Sequence, residues 1–185
     1  TEIPEAIEAG MQWLVREQQP DGRWRAGDIQ LDGSRLPKPQ EESVGHDVGV
    51  TGLAVLALAR DPATPGNEER LNAVRRGLRF ILGSRFQGLG LLVDSLEYKD
   101  DKGVERSTYA FGWIYDHSAA VQALAASRSV VHSPRVELGL KDAIAVLFRA
   151  RNPYGGWRYS IPADGDSDFS ATFWVMRALL AGQAA

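Results

Sequence analysis

The chain has 185 residues, no cysteine, 44% hydrophobic and 24% charged side chains, and a formal net charge of −3 from 21 basic and 24 acidic residues. Without cysteine it has no disulfide, thiolate nucleophile or thiolate zinc ligand, and the redox compartment stays open. No apolar run is long enough for a transmembrane helix, and no block of Lys or Arg argues for nucleic acid or anionic lipid as a partner.

In chain order, the first predicted element is an amphipathic helix whose apolar face is Ile7, Met11, Leu14 and Val15. It stops in Gln18-Gln-Pro20-Asp21-Gly22-Arg-Trp24, where Pro ends the helix, Gly22 takes a positive φ and Trp24 folds back over the turn as a staple. After a long connection, Arg25–Gly45, comes a helix from Val48 to Ala59 that is apolar nearly all round. The pattern then recurs. A second amphipathic helix carries Leu71, Val74, Leu78, Ile81 and Leu82. The connection Leu89–Ile114 leads to an apolar helix from His117 to Ala126. A third amphipathic helix, with Leu140, Ala143, Ile144, Leu147 and Phe148, ends in Arg151-Asn-Pro153-Tyr-Gly155-Gly156-Trp157, and an apolar helix from Phe169 to Ala181 follows.

Aligning Trp13, Phe80 and Val146 gives offsets of 67 and 66 residues, so the chain reads as three copies of one unit, at about 1–60, 68–128 and 135–183. The middle copy lacks the turn Trp. One-faced helices alternating with helices that must be enclosed are what two concentric layers require, the apolar members inside. The expected fold is therefore all-α: a partial α/α toroid of three hairpins and six main helices, in one domain spanning 1–185. The opening at Thr1, with no basic or apolar leader behind it, leads us to expect a piece cut from a longer chain.

Residues Gly10 to Trp24 resemble the QW-type repeat of squalene–hopene and oxidosqualene cyclases. Asp47-Val-Gly-Val-Thr51-Gly-Leu-Ala and Asp168-Phe-Ser-Ala-Thr172 are similar to the segment that follows this repeat in prenyltransferase and squalene-cyclase-like proteins. The resemblance implies an α/α toroid that holds an isoprenoid or other hydrophobic ligand in a central cavity. It also implies a ring of about twice as many helices, completed by further hairpins of the parent chain or by a second copy.

Aligning Ala57, Ala123 and Ala178 makes Thr51, His117 and Thr172 equivalent, with Asp47, Trp113 and Asp168 one helical turn earlier at the same end of the ring. Asp116 and His46 stand beside this set, and Asp47 and Asp168 also suit helix capping. We expect a ligand-binding rim of Asp47, Thr51, Trp113, Asp116, His117, Trp157, Thr172 and Phe173. Trp113, Trp157, Phe173 and Trp174 would offer π-faces to a cation, or serve as core.

The run Asp164-Gly-Asp166-Ser-Asp168 crowds carboxylates, which raise one another's pKa and keep one protonated. The resemblance to class II cyclases makes Asp166 or Asp168 the proton donor, although this run is Asp-x-Asp-x-Asp where those enzymes carry Asp-x-Asp-Asp. A zinc protein prenyltransferase would need Cys, the Asp-Asp-x-x-Asp magnesium motif is absent at Asp100-Asp101, and a calcium loop from Asp164 would need Glu where Val175 stands. No metal and no cofactor are expected. The competing reading is a non-catalytic repeat scaffold that binds a protein or glycan through its mouth loops, and catalysis is left open.

Overall fold

The computed structural model describes residues 2–26, 45–86, 89–109 and 112–184, so most of the expected first connection, residues 27–44, lies outside the described residues. Among the described residues the chain is mainly helical. The α-helices are α1 (Glu2–Glu17), α2 (Asp47–Arg60), α3 (Glu68–Gly83), α4 (Trp113–Ser127), α5 (Pro134–Arg149) and α6 (Phe169–Ala184).

Their ends follow local chemistry. Asn67 caps α3 by accepting from Arg70 N at 3.1 Å, Pro134 opens α5 behind Ser133, and Asp168 caps α6 by accepting from Ala171 N at 2.8 Å. Helix α2 is capped from a distance: Asp94, 46 residues along the chain, accepts from Val48 N at 2.9 Å.

Helix α4 packs between α2 and α6, with α3 against α2, α5 against α4 and α6, and α1 against α2 and α3. Small residues set the spacing of the α2–α4 contact: a Cβ on Gly52 would lie 2.8 Å from the Ala119 carbonyl carbon, and one on Gly49 would lie 2.0 Å from Asp116 Oδ1. The core is continuous across these contacts, from Val55 and Leu58 through Ile114, Val121 and Leu124 to Leu147 and Val175. Burying each such side chain stabilises the fold by about 1.5–3 kcal/mol. Arg70 is buried in an ion pair with Glu8 at 2.5 Å and another with Asp61, which tethers α1 to α3.

Three expectations are corrected. The fold is not purely helical: the connection after α3 forms two antiparallel hairpins, β1 (Arg85–Phe86) with β2 (Leu91–Leu92) and β3 (Leu96–Lys99) with β4 (Glu105–Thr108). The second turns at Asp100–Gly103, where Asp100 Oδ1 accepts from Lys102 N and Val104 N and Gly103 has φ 74°. Helix α1 buries no residue completely: Met11, Leu14 and Val15 pack part-buried against the core, while Ile7 is exposed.

Helix α6, which its composition predicts to be enclosed, buries only Ala171, Val175 and Ala178 and exposes Phe169, Phe173, Met176 and Leu180. The reason is position. Helix α4 has an apolar helix on either side, whereas α6, among the described residues, has one on a single side.

Candidate functional site

The turn motifs build the same object in the first and third repeats. Gln19 N donates to Arg23 O and Asn152 N to Gly156 O; Gly22 N donates to Gln19 O and Gly155 N to Asn152 O. The indole Nε1 of Trp24 donates to Leu14 O at 2.8 Å, and that of Trp157 to Leu147 O at 2.7 Å. The backbone N–H of Trp24 then reaches Thr51 Oγ1 at 2.9 Å, and that of Trp157 reaches Thr172 Oγ1 at 3.0 Å. Each staple thus pins the end of an amphipathic helix to the following apolar helix.

The middle repeat makes the equivalent bond with other residues: Leu92 N donates to Nδ1 of His117 at 3.0 Å. The second ring nitrogen of His117 lies 2.9 Å from Ala143 O. One acceptor and one donor require the neutral imidazole with its proton on Nε2. Burial pushes the His117 pKa down to about 4, helped by Arg149 and Arg85 and opposed by the Ala143 carbonyl. Thr51, His117, Thr172 and Trp157, expected at a ligand rim, are engaged in these structural bonds.

Carboxylates gather at the N-terminal ends of α2 and α4. Asp47 accepts from Ala26 N and from the Arg23 guanidinium, both at 2.9 Å, so it ties the first turn to α2 through its side chain and does not cap its own helix. Asp116 is buried, with Oδ2 2.8 Å from His46 Nδ1. Burial raises the Asp116 pKa to about 6, the Asp94 and Asp47 charges add to the rise, and His46 works against it. Burial likewise raises Asp94, against the pull of the Val48 N–H. Asp94 carried no signal in the sequence, and Arg23 stood in the turn motif without its partner Asp47 being legible, because both reach this place only through the fold of the connections.

A polar chain links α4 to α6 at the same helix ends. Tyr159 and Tyr115 hydroxyls are 3.0 Å apart, Tyr115 reaches Ser170 Oγ at 2.6 Å, and Ser170 donates to Asp168 Oδ1 at 2.6 Å. The Trp113 indole donates to Tyr159 O at 2.6 Å, and Trp174 stands edge-on to Tyr115 with ring centroids 6.5 Å apart. The Ser170 hydroxyl and then the Ala171 N–H hold Asp168 below the usual carboxylate range.

Asp166 pairs with Arg158 on the surface, and Asp164 takes up Ser160 Oγ and Asp166 N. Asn152 organises this loop by accepting from Gly165 N and donating to Ser167 Oγ. The carboxylates of 164–168 therefore bond to separate partners and not to one another. The mutual crowding expected there is found instead around Asp116. Phe173 lies apart from both clusters, on the exposed face of α6. Among the described residues, no three His, Asp or Glu side chains are placed to share a metal ion, and no helix is long and apolar enough to cross a membrane.

Compared with models of known protein families and with curated proteins, the chain matches none.

Proposed function

We propose that this chain is an arc of an α/α toroid of the squalene-cyclase and prenyltransferase-like kind, and that it supplies one wall of a site for a hydrophobic, isoprenoid-class ligand. The observation that carries the reading is Asp116: a buried carboxyl with a pKa of about 6, next in sequence to Tyr115 and its ring partners Tyr159 and Trp174. A buried carboxyl whose pKa is raised to about 6 holds a protonated fraction as pH falls below neutrality, and with aromatic rings at the same helix end it would be the equipment for protonating an alkene and sheltering the resulting cation. Asp116 would be the acid, its protonated form favoured by burial and then by the Asp94 and Asp47 charges, and Tyr115 and Trp174 would be the π-faces. Asp166 and Asp168 would shape the mouth.

The test is to incubate the protein with squalene and with prenyl diphosphates, extract, and measure retained and cyclised species by mass spectrometry. Turnover in the wild type that Asp116→Asn abolishes and Asp168→Asn leaves intact supports the assignment. Retention without turnover reduces the function to binding, and neither retention nor turnover ends the ligand reading.

A second reading, a repeat scaffold for a protein or glycan, is favoured by the polar contact between α4 and α6. Ser118 and Gln122 are buried on α4, and Gln122 Oε1 accepts from Arg177 of α6 at 3.4 Å.

A further inference from the structure

The two ends of the α2–α4–α6 row carry complementary faces. Within the row, Gly49 and Gly52 of α2 lie against Asp116, Ala119 and Ala120 of α4. Thr51, His117 and Thr172 accept equivalent backbone N–H groups and so set the register between the repeats.

In that register, the α4 face that receives α2 corresponds, 66 residues earlier, to Val50, Leu53 and Ala54 of α2. Those residues line an apolar groove of about 300 Å³ between α1 and α2, together with Trp13, Leu14 and Ala57. Leu53 is 43% exposed there.

The α2 face that enters α4 corresponds, 121 residues later, to Ser170 and Phe173 of α6. Phe173 is 57% exposed, and with Phe169, Met176 and Leu180 it forms a continuous ridge at helical spacing. The first end therefore presents the receiving surface of the repeat, and the last end presents the entering surface.

We propose that the occupant of the α1–α2 groove is α6 of a second copy of this chain, docked head-to-tail so that Phe173 fills the space beside Leu53 and Ala54. The shapes agree. Where α2 meets α4 both faces are small, whereas the groove is roomy and its counterpart carries rings and long aliphatic chains.

Such a contact is heterologous, and a pair of copies closes it by making the same junction twice. Both apolar faces then leave water, and the wall formed by one arc gains an opposite wall. The inference rests on the reading of the chain as an arc, but self-association is measured without any ligand.

The test is sedimentation velocity and light scattering across a concentration series, on the wild type, Leu53→Arg and Phe173→Asp, with circular dichroism to verify folding. Both substituted side chains are partly exposed, and Met176→Lys supplies a second ridge variant. The expected result is a dimer for the wild type and at least about tenfold weaker association for each single variant. An equimolar mixture of Leu53→Arg and Phe173→Asp should recover a 1:1 dimer, because one copy keeps its ridge and the other its groove.

A wild type that stays monomeric at every concentration overturns the proposal. So does a dimer that all three variants leave unchanged, or a mixture that associates no better than its parts. A dimer that retains no lipid sinks the ligand reading alone, and a monomer that turns over squalene sinks this inference alone.

Discussion

Leu92 donates its backbone N–H to Nδ1 of His117 in the place where Trp24 donates to Thr51 and Trp157 to Thr172. One joint between an amphipathic and an apolar helix is thus made three times, twice with a hydroxyl and once with an imidazole. His117→Ala leaves Leu92 N and Ala143 O unpaired in the core and should cost about 2–4 kcal/mol in chemical denaturation. His117→Asn keeps an acceptor near Leu92 N and should lose less.

The same histidine gives stability a pH dependence of definite sign. Its folded pKa of about 4 lies below the ordinary 6.5, so the stability from burying it neutral is fully present above pH 6.5 and is lost as pH falls towards 4. Denaturant midpoints measured from pH 7 to pH 4 should therefore fall less steeply in His117→Asn than in the wild type.

Asp116 runs the other way. Its folded pKa of about 6 lies above the ordinary 3.8, so its contribution is fully present below about pH 3.8 and is lost as pH rises through 6. The groups that face it are His46, Asp94 and Asp47. Asp116→Asn removes the ionisation, and its stability relative to the wild type should rise by roughly 2 kcal/mol between pH 4 and pH 7. Urea titrations of the two proteins at both pH values check this, and an unchanged difference would show that Asp116 ionises freely.

The two Trp staples should respond alike. Trp24→Phe and Trp157→Phe each keep a ring in the core and lose one indole hydrogen bond, to Leu14 O and Leu147 O respectively. Each should lower stability by about 1 kcal/mol, and the double variant should lose the sum, because the sites lie in separate repeats. Thermal or urea denaturation of the three variants provides the measurement.

Two glycine-to-alanine changes should have opposite signs. At Gly52 the new methyl meets the Ala119–Ala120 backbone at 2.8–2.9 Å, which cannot give way without parting α2 from α4, and a loss of about 1–3 kcal/mol is expected. At Gly10, in α1, nothing lies within 4 Å, and the better helix propensity of alanine should add roughly 0.5–1 kcal/mol. Paired unfolding curves distinguish the two sites.

What the sequence by itself determined is what depends on neighbours within about ten residues: the helical periods of α3 and α5, the stop at Pro20 and Pro153, and the return of each turn Trp onto its own helix. Such features follow from spacing and turn chemistry alone. The repeat register was legible for the same reason, and it placed Thr51, His117 and Thr172 correctly as equivalents although not as partners of Leu92 and the two Trp residues. The hairpins between α3 and α4 were not legible, since their short strands carry no sustained alternation and Glu97, Tyr98 and Lys99 all face water.

Tertiary structure alone decided which carboxylates share a place. Asp94 arrives at the end of α2 from 46 residues away, while the neighbouring Asp164, Asp166 and Asp168 bond to different partners. It also decided that α4 is enclosed and α6 is not, although their apolar composition is alike. Burial is a property of the company a helix keeps, and periodicity records only the faces it is able to hide.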